Sequence, residues 1–447
     1  MSASRLLVGA VALALSAVAA AQTPNTLIIV ADDIGVDMIN CYGEGPDPAV
    51  TPHIDRLAAE GVLFRNAWAN PACSPTRAQI QTGRYSFRTG IGMIVGISGW
   101  SLQLGETTLA EIVDSSSQSV TDLGYIGKWH LSNGGTGGLM APNLQGWHTF
   151  SGTVGNITPL HAFNHYPKVT DGVASMSTVY ATTEQVDDTL AFIDQAKGPW
   201  MCVLAFNAPH SPYHEPPAHL YHSPTPPIDP RYEPRPFYKA MIEAMDTEIG
   251  RLIQQLSPEV VANTNVIFIA DNGTPSEVSM APFVPEHAKL TCYEGGVNVP
   301  LIASGPDVSS PGREEDALVS ATDLFATVVE LTGSTLPPLG AGQASDSVSL
   351  VPYLKDPNAA HQRETVYAEY FGPNGPTGFG VTHTSRTMRN ERWKIIEFFG
   401  STPQRYEFYD LQSDPFENFD MVGNSLWTLQ SFTAFRDLRN EMAKLVQ

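Results

Sequence analysis

The 447 residues carry 46 acidic against 25 basic side chains, a formal charge of −21, and 42% of them are hydrophobic. That length holds a large domain and a smaller one, and the hydrophobic share excludes an intrinsically disordered chain. The acidity argues against nucleic-acid binding, and four cysteines in such a length exclude a disulfide scaffold.

Arg5 is followed by an apolar run over residues 6–18 and by the small residues Ala19, Ala20 and Ala21. This is the layout of a signal peptide over residues 1–21. The run is short for a bilayer span and polar residues follow it at once, so the reading is cleavage and export. The expected location is the periplasm or the exterior, with no membrane association after signal removal.

Residues 26–31 (TLIIVA) begin a series of short apolar runs that read as buried parallel strands. Residues 122–127, 200–206, 265–270 and 299–303 continue it. Helical patterns at residues 53–60, 184–196 and 237–256 lie between them. The alternation predicts an α/β fold with a mostly parallel central sheet flanked by helices. Beyond about Ser347, residues 365–370, 387–388, 393–399 and 406–409 read as short alternating strands, with a terminal helix near 426–446. They predict a smaller C-terminal subdomain built on an antiparallel sheet. The Gly- and Pro-rich stretch 336–342 marks the boundary, giving a main α/β domain over 22–345 and a C-terminal subdomain over 346–447.

Polar residues follow four of the strands. Asp32 and Asp33 follow the first, Lys128 and His130 follow 122–127, His210 follows 200–206, and Asp271 with Asn272 follows 265–270. Ligands of open α/β sheets bind beyond the carboxyl ends of strands. A single Asp there is often a helix cap, but four deliveries to one sheet edge describe a site. Asp32, Asp33, Asp271 and Asn272 offer only oxygen donors, which suits Ca²⁺ or Mg²⁺ rather than zinc.

The most specific motif is Cys73–Ser74–Pro75–Thr76–Arg77, continued by Thr82–Gly83–Arg84. It resembles the C-x-P-S/T-R and T-G-R signature of type I sulfatases, arylsulfatase-like members of the alkaline phosphatase superfamily. Gly127–Lys128–Trp129–His130, Ala208–Pro209–His210, and Lys289 ahead of Tyr293–Glu294–Gly295–Gly296 match further family positions. The resemblance spans nearly the whole mature chain, up to Tyr409–Asp410–Leu411.

It implies a sulfate monoester hydrolase acting on an aryl or carbohydrate sulfate. It also implies that a maturation enzyme oxidises Cys73 to formylglycine. A hydrated aldehyde carries two geminal hydroxyls, one to attack sulfur and one to collapse the adduct, which splits one hard step into two. By the same resemblance Arg77 stabilises the modified residue, Lys128 holds the sulfate and His130 handles a proton. His210 and Lys289 contact the sulfate and the leaving oxygen, and residue 73 joins the metal ligands, with Ca²⁺ favoured. Asn298 stands where the family often has Arg. The loops 156–167 and 213–235 are candidates for setting specificity. Cys202 lies inside an apolar run and reads as a buried small hydrophobe. Two other readings stand beside this one: a phosphodiesterase or phosphonate monoester hydrolase of the same superfamily, and an inactive protein that binds sulfated glycans.

Overall fold

Asn25–Ala31, β1, is buried at every position, with side chains pointing alternately to the two faces of a sheet. Such a strand needs cover on both sides, which is why it reads as an unbroken apolar run. The computed structural model describes residues 23–158, 160–336, 345–376, 380, 382–400 and 404–446. The expected signal peptide and, apart from Leu336, the boundary stretch 336–342 lie outside the described residues.

The strands that follow β1 are β2 (Gly61–Trp68), β3 (Asp122–Lys128), β4 (Thr149–Thr153), β5 (Tyr166–Thr170) and β6 (Val173–Ser177). Then come β7 (Trp200–Ala205), β8 (Thr264–Ala270), β9 (Leu301–Ser304) and β10 (Arg313–Ser320). They form one ten-stranded sheet in the order β10-β2-β9-β8-β1-β7-β3-β4-β5-β6. β1 pairs in parallel with β7 and β8, and β7 with β3. The carboxyl ends of these four neighbours therefore open on one crevice. The helices Pro52–Ala59, Ala181–Gln195 and Pro234–Gln255 pack as one group, and Cys73–Thr82, Leu109–Ser116 and Asp323–Leu331 as another. Each fully buried Ile, Leu or Phe of β1, β7 and β8 contributes about 1.5–3 kcal/mol.

The run at 299–303 is a buried strand but not a parallel one. β9 pairs antiparallel with both β8 and β2. Apolar patterning reports burial and carries no information on strand direction, so the sequence could not separate the two cases.

A second sheet contains β11 (Val366–Gly372), β12 (His383–Arg389), β13 (Trp393–Phe399) and β14 (Arg405–Asp410), all antiparallel and in chain order. One face packs with the terminal helix Leu429–Leu445 through Tyr367, Met388, Ile395, Phe408, Leu438 and Met442. Toward the large sheet, Val366 and Ala368 pack with Trp68, Val297 and Leu318. Charge is buried at this junction too. Lys394 Nζ lies 3.0 Å from Glu294 and 2.8 Å from Glu417, and 4.8 Å from the centre of the Trp68 ring. Arg389 stands 3.4 Å from Glu294. The four cysteines are free thiols, and Cys202 is buried as its apolar setting required.

Candidate active site

Cys73 opens the helix Cys73–Thr82, whose ten residues are all buried. Local bonds fix its start. The Asn70 N–H donates to Thr76 Oγ1 at 2.9 Å, and Ser74 Oγ donates to the His130 carbonyl at 2.8 Å. Gly83 ends the helix in the left-handed region, at φ 65°, which accounts for the glycine of the Thr82–Gly83–Arg84 motif. The helix thus carries Cys73 at its first position and Arg77 one turn on, both turned into the crevice.

Residues from six segments meet there. Cys73 Sγ lies 3.3 Å from His130 Nδ1. Arg77 donates through Nε to Asp271 at 2.9 Å and through Nη1 to the Lys128 carbonyl at 2.6 Å. Lys128 pairs with Asp32, and Lys289 with Asp33. His210 Nε2 stands 3.8 Å from Asp33, and Asn272 Nδ2 donates to Asp33 Oδ1 at 2.9 Å. The Asp33 N–H donates to Asp271 Oδ1 at 3.1 Å and links the two groups of charges, beside which Cys73 and His130 form a pair of their own. Asp33 (φ 72°) and His130 (φ 58°) hold left-handed backbone, at a cost of about 1–3 kcal/mol each for non-glycine residues. A Cβ on Gly273 would sit 1.9 Å from the Gly295 carbonyl oxygen. The Tyr293–Glu294–Gly295–Gly296 turn is thereby pressed against the segment that carries Asp271 and Asn272.

The donor set fits a divalent cation. Atoms of Asp32, Cys73 and Asp271 lie within 4.8 Å of one another. Asp32 Oδ1 and Asn272 Oδ1 are buried with no hydrogen-bond partner, an expensive state for oxygens that no cation satisfies.

Burial and the charges beside it set the protonation states. Desolvation and the neighbouring Asp271 push Asp32 up to about 7, against the pull of Lys128. Burial would raise Asp33 too, but Lys289, His210 and Lys128 carry it well below the usual carboxylate range. Burial pushes the Cys73 thiol up, with Lys128 and Lys289 opposing, so the unmodified side chain is a poor thiolate nucleophile. Burial and the cations Lys128 and Arg77 hold His130 neutral, and burial brings His210 down to about 4 despite Asp33.

Sequence reasoning missed the supports. The Tyr238 hydroxyl donates to the Asp33 carbonyl at 2.6 Å, and the Tyr125 hydroxyl to that of Lys128 at 2.9 Å. Neither stands in a motif, so only the tertiary structure reveals them. The two candidate specificity loops meet each other: His161 and Asn164 of one, with His214 and Glu215 of the other, line a cavity of about 470 Å³.

Comparison with known proteins agrees with this geometry. The family model "Sulfatase" matches residues 24–334, and the model "N-sulphoglucosamine sulphohydrolase, C-terminal" matches residues 286–446. Human arylsulfatase A is 28% identical over 92% of this chain and 86% of its own length. Human N-acetylgalactosamine-6-sulfatase is 30% identical over 75% of this chain and 66% of its own. The solved structure of Ps i-CgsB with k-i-k-neocarrahexaose superposes with a TM-score of 0.77 at 24% identity, covering 95% of this chain and 93% of that one. The buried cysteine, the carboxylates around it and the family match over most of the chain lead to one conclusion: this protein belongs to the sulfatase family and is a sulfatase.

Proposed function

We propose that the protein hydrolyses sulfate monoesters of aryl or carbohydrate alcohols at the crevice where β8, β1, β7 and β3 end. The observation that carries this reading is the buried meeting of Cys73 with Asp32 and Asp271, ringed by Arg77, Lys128, His130, His210 and Lys289. Asp32, Asp33, Asp271, Asn272 and residue 73 would hold one divalent ion, Ca²⁺ in preference to Mg²⁺. When bound, the ion screens negative charge, and Cys73 oxidised to formylglycine supplies a geminal diol as the nucleophile.

The chain's own residues do the rest. Lys128 and Lys289 present fixed positive charge to the sulfuryl oxygens, where charge persists through the reaction. Arg77, held by Asp271 and the Lys128 carbonyl, fixes the side chain at position 73. His130, neutral and 3.3 Å from that side chain, accepts its proton. His210 pairs Nδ1 with the Ser211 carbonyl at 2.7 Å, which leaves Nε2 to exchange a proton with the leaving oxygen. An anionic ester beside His210 raises its low pKa and lets it act as the acid.

The same reading makes residues 1–21 a removed export signal, 22–345 the catalytic domain and 346–447 the C-terminal subdomain of a periplasmic or secreted enzyme. Among the described residues no helix is long and apolar enough to cross a membrane. A maturation enzyme for Cys73 and a sulfate ester are its partners. The test is mass spectrometry of the peptide containing Cys73, with turnover of matched 4-nitrophenyl sulfate and phosphate esters. Aldehyde at position 73 and faster sulfate turnover are expected. An unmodified thiol in the active protein, or preference for the phosphate, would overturn the proposal.

A further inference from the structure

β11 is buried along its length except at Tyr370, which is half-buried. Side chains alternate along a strand, and Val366 and Ala368 face the large sheet, so Tyr370 lies on that face too. Two loops flank this end of the strand. On one side Tyr370 packs against the cluster of Cys292, Ile396, Tyr409 and Leu411, and Cys292 follows closely after Lys289. On the other side the Phe371 N–H donates to the Gly92 carbonyl at 3.1 Å. Asn374 grips the same loop, its Oδ1 accepting from Gly92 N–H at 2.9 Å and Met93 N–H at 2.8 Å. That loop runs on to Val95, whose N–H donates to Ser74 Oγ at 3.0 Å, beside Cys73.

The carboxyl end of β11 is therefore bracketed between the segment that carries Lys289 and the segment that touches the start of the Cys73 helix. The local electrostatics agree with this placement. Burial raises the Tyr370 phenol, Cys73 adds to the rise and Lys289 opposes it.

We propose that Tyr370 contacts the organic part of the substrate, the sugar or aryl ring that bears the sulfate, and so sets specificity from the C-terminal sheet. This rests on the sulfatase function proposed above. An aromatic face suits the flat side of a second ring, and a neutral hydroxyl suits a substrate hydroxyl. Neither group acts on sulfur, so the contact governs KM more than kcat.

The test measures KM and kcat for 4-nitrophenyl sulfate, and Ki for inorganic sulfate, in wild type, Tyr370→Phe and Tyr370→Ala. Inorganic sulfate has the sulfuryl oxygens but no organic group. Tyr370→Ala is expected to raise KM about tenfold, with a smaller change in kcat and a Ki within about twofold of wild type. Tyr370→Phe, which keeps the ring, recovers most of the loss. An active wild type with KM unchanged in Tyr370→Ala overturns this inference alone, and so does a parallel rise of KM and Ki, which would mean a distorted site. A wild type that turns over no sulfate ester overturns the sulfatase function and this inference with it.

Discussion

Two clusters of buried charge, one at the crevice and one between the two sheets, are built differently. Between the sheets, Lys394 serves both Glu294 and Glu417, Arg389 adds to Glu294, and the Glu294 N–H donates to Glu417 at 2.5 Å. There every carboxylate has a cation within 3.4 Å, although Glu417 Oε1, 2.8 Å from Lys394 Nζ, makes no hydrogen bond. At the crevice, three carboxylates meet Arg77, Lys128 and Lys289, yet Asp32 Oδ1 and Asn272 Oδ1 keep no hydrogen-bond partner and Asp33 and His130 hold left-handed backbone. Burying charge is costly in both places. The strained backbone and the meeting of Asp32, Asp271 and Cys73 mark the crevice cluster as arranged for something that binds, whereas the one between the sheets serves the fold.

The sharpest break between the two is Cys73→Ala. We expect turnover of aryl sulfates to fall by at least about 10³-fold, with the thermal midpoint shifting by only a few degrees, roughly the scale of 1 kcal/mol. Near-wild-type turnover in the purified variant would remove Cys73 from the chemistry.

At the cluster between the sheets the effect should appear in stability. Lys394→Met leaves Glu417 without its cation and Glu294 with Arg389 alone, a loss of about 3–5 kcal/mol by urea denaturation. Adding Glu294→Gln and Glu417→Gln should restore part of it. A lone Lys394→Met as stable as wild type would show that the cluster is not the fastener described here.

His210→Ala sharpens the comparison inside the site. Poor leaving groups should lose about 10- to 100-fold in kcat/KM and nitrophenyl-type ones less, because only the former need protonation. Lys128→Ala should affect both alike. An unchanged slope of kcat/KM against leaving-group pKa in His210→Ala would strip His210 of the acid role.

The smallest effect concerns a buried carboxylate that forms no ion pair among the described residues. Asp246 accepts the N–H of Ile54 at 2.8 Å and of His53 at 3.1 Å, and burial pushes it up to about 7. A folded-state pKa above the unfolded value gives stability that is present below about pH 4 and lost as pH rises through 7. Asp246→Asn should escape that loss, with no gain on wild type below about pH 4 and a gain that grows through pH 5 to 7 to at least about 1 kcal/mol at pH 8. Equal pH profiles of the thermal midpoint would refute the assignment.

The sequence made β1, β7 and β8 legible because strands covered on both faces are largely apolar, and β3 through its central Tyr125 and Ile126. It made the site legible because the acidic, cationic and imidazole groups stand directly after those strands. β10 escaped because it is an edge strand that begins with Arg313, Glu314 and Glu315, charges that an edge tolerates and a central strand does not. β2 was missed although most of it is buried, since Arg65 and Asn66 interrupt its apolar run. Tyr370 and the Lys394 cluster were hidden for a different reason. Alternation tells which residues share a face of a sheet, not what will lie against that face.

The depth of Cys73 also imposes a timetable. Its side chain has no exposed surface, and the strand that closes over its neighbourhood is made late: the Glu369 N–H donates to Asn70 Oδ1 at 3.1 Å, and the Phe87 N–H to Glu369 at 2.7 Å. Under the proposed function, a maturation enzyme can reach Cys73 only while the nascent chain is still open. On that reading, once β11 has docked, an unoxidised copy stays out of reach of a second protein unless the chain reopens. The yield of active protein would then be decided by a race between oxidation and folding, won or lost before the last strands of the chain have settled.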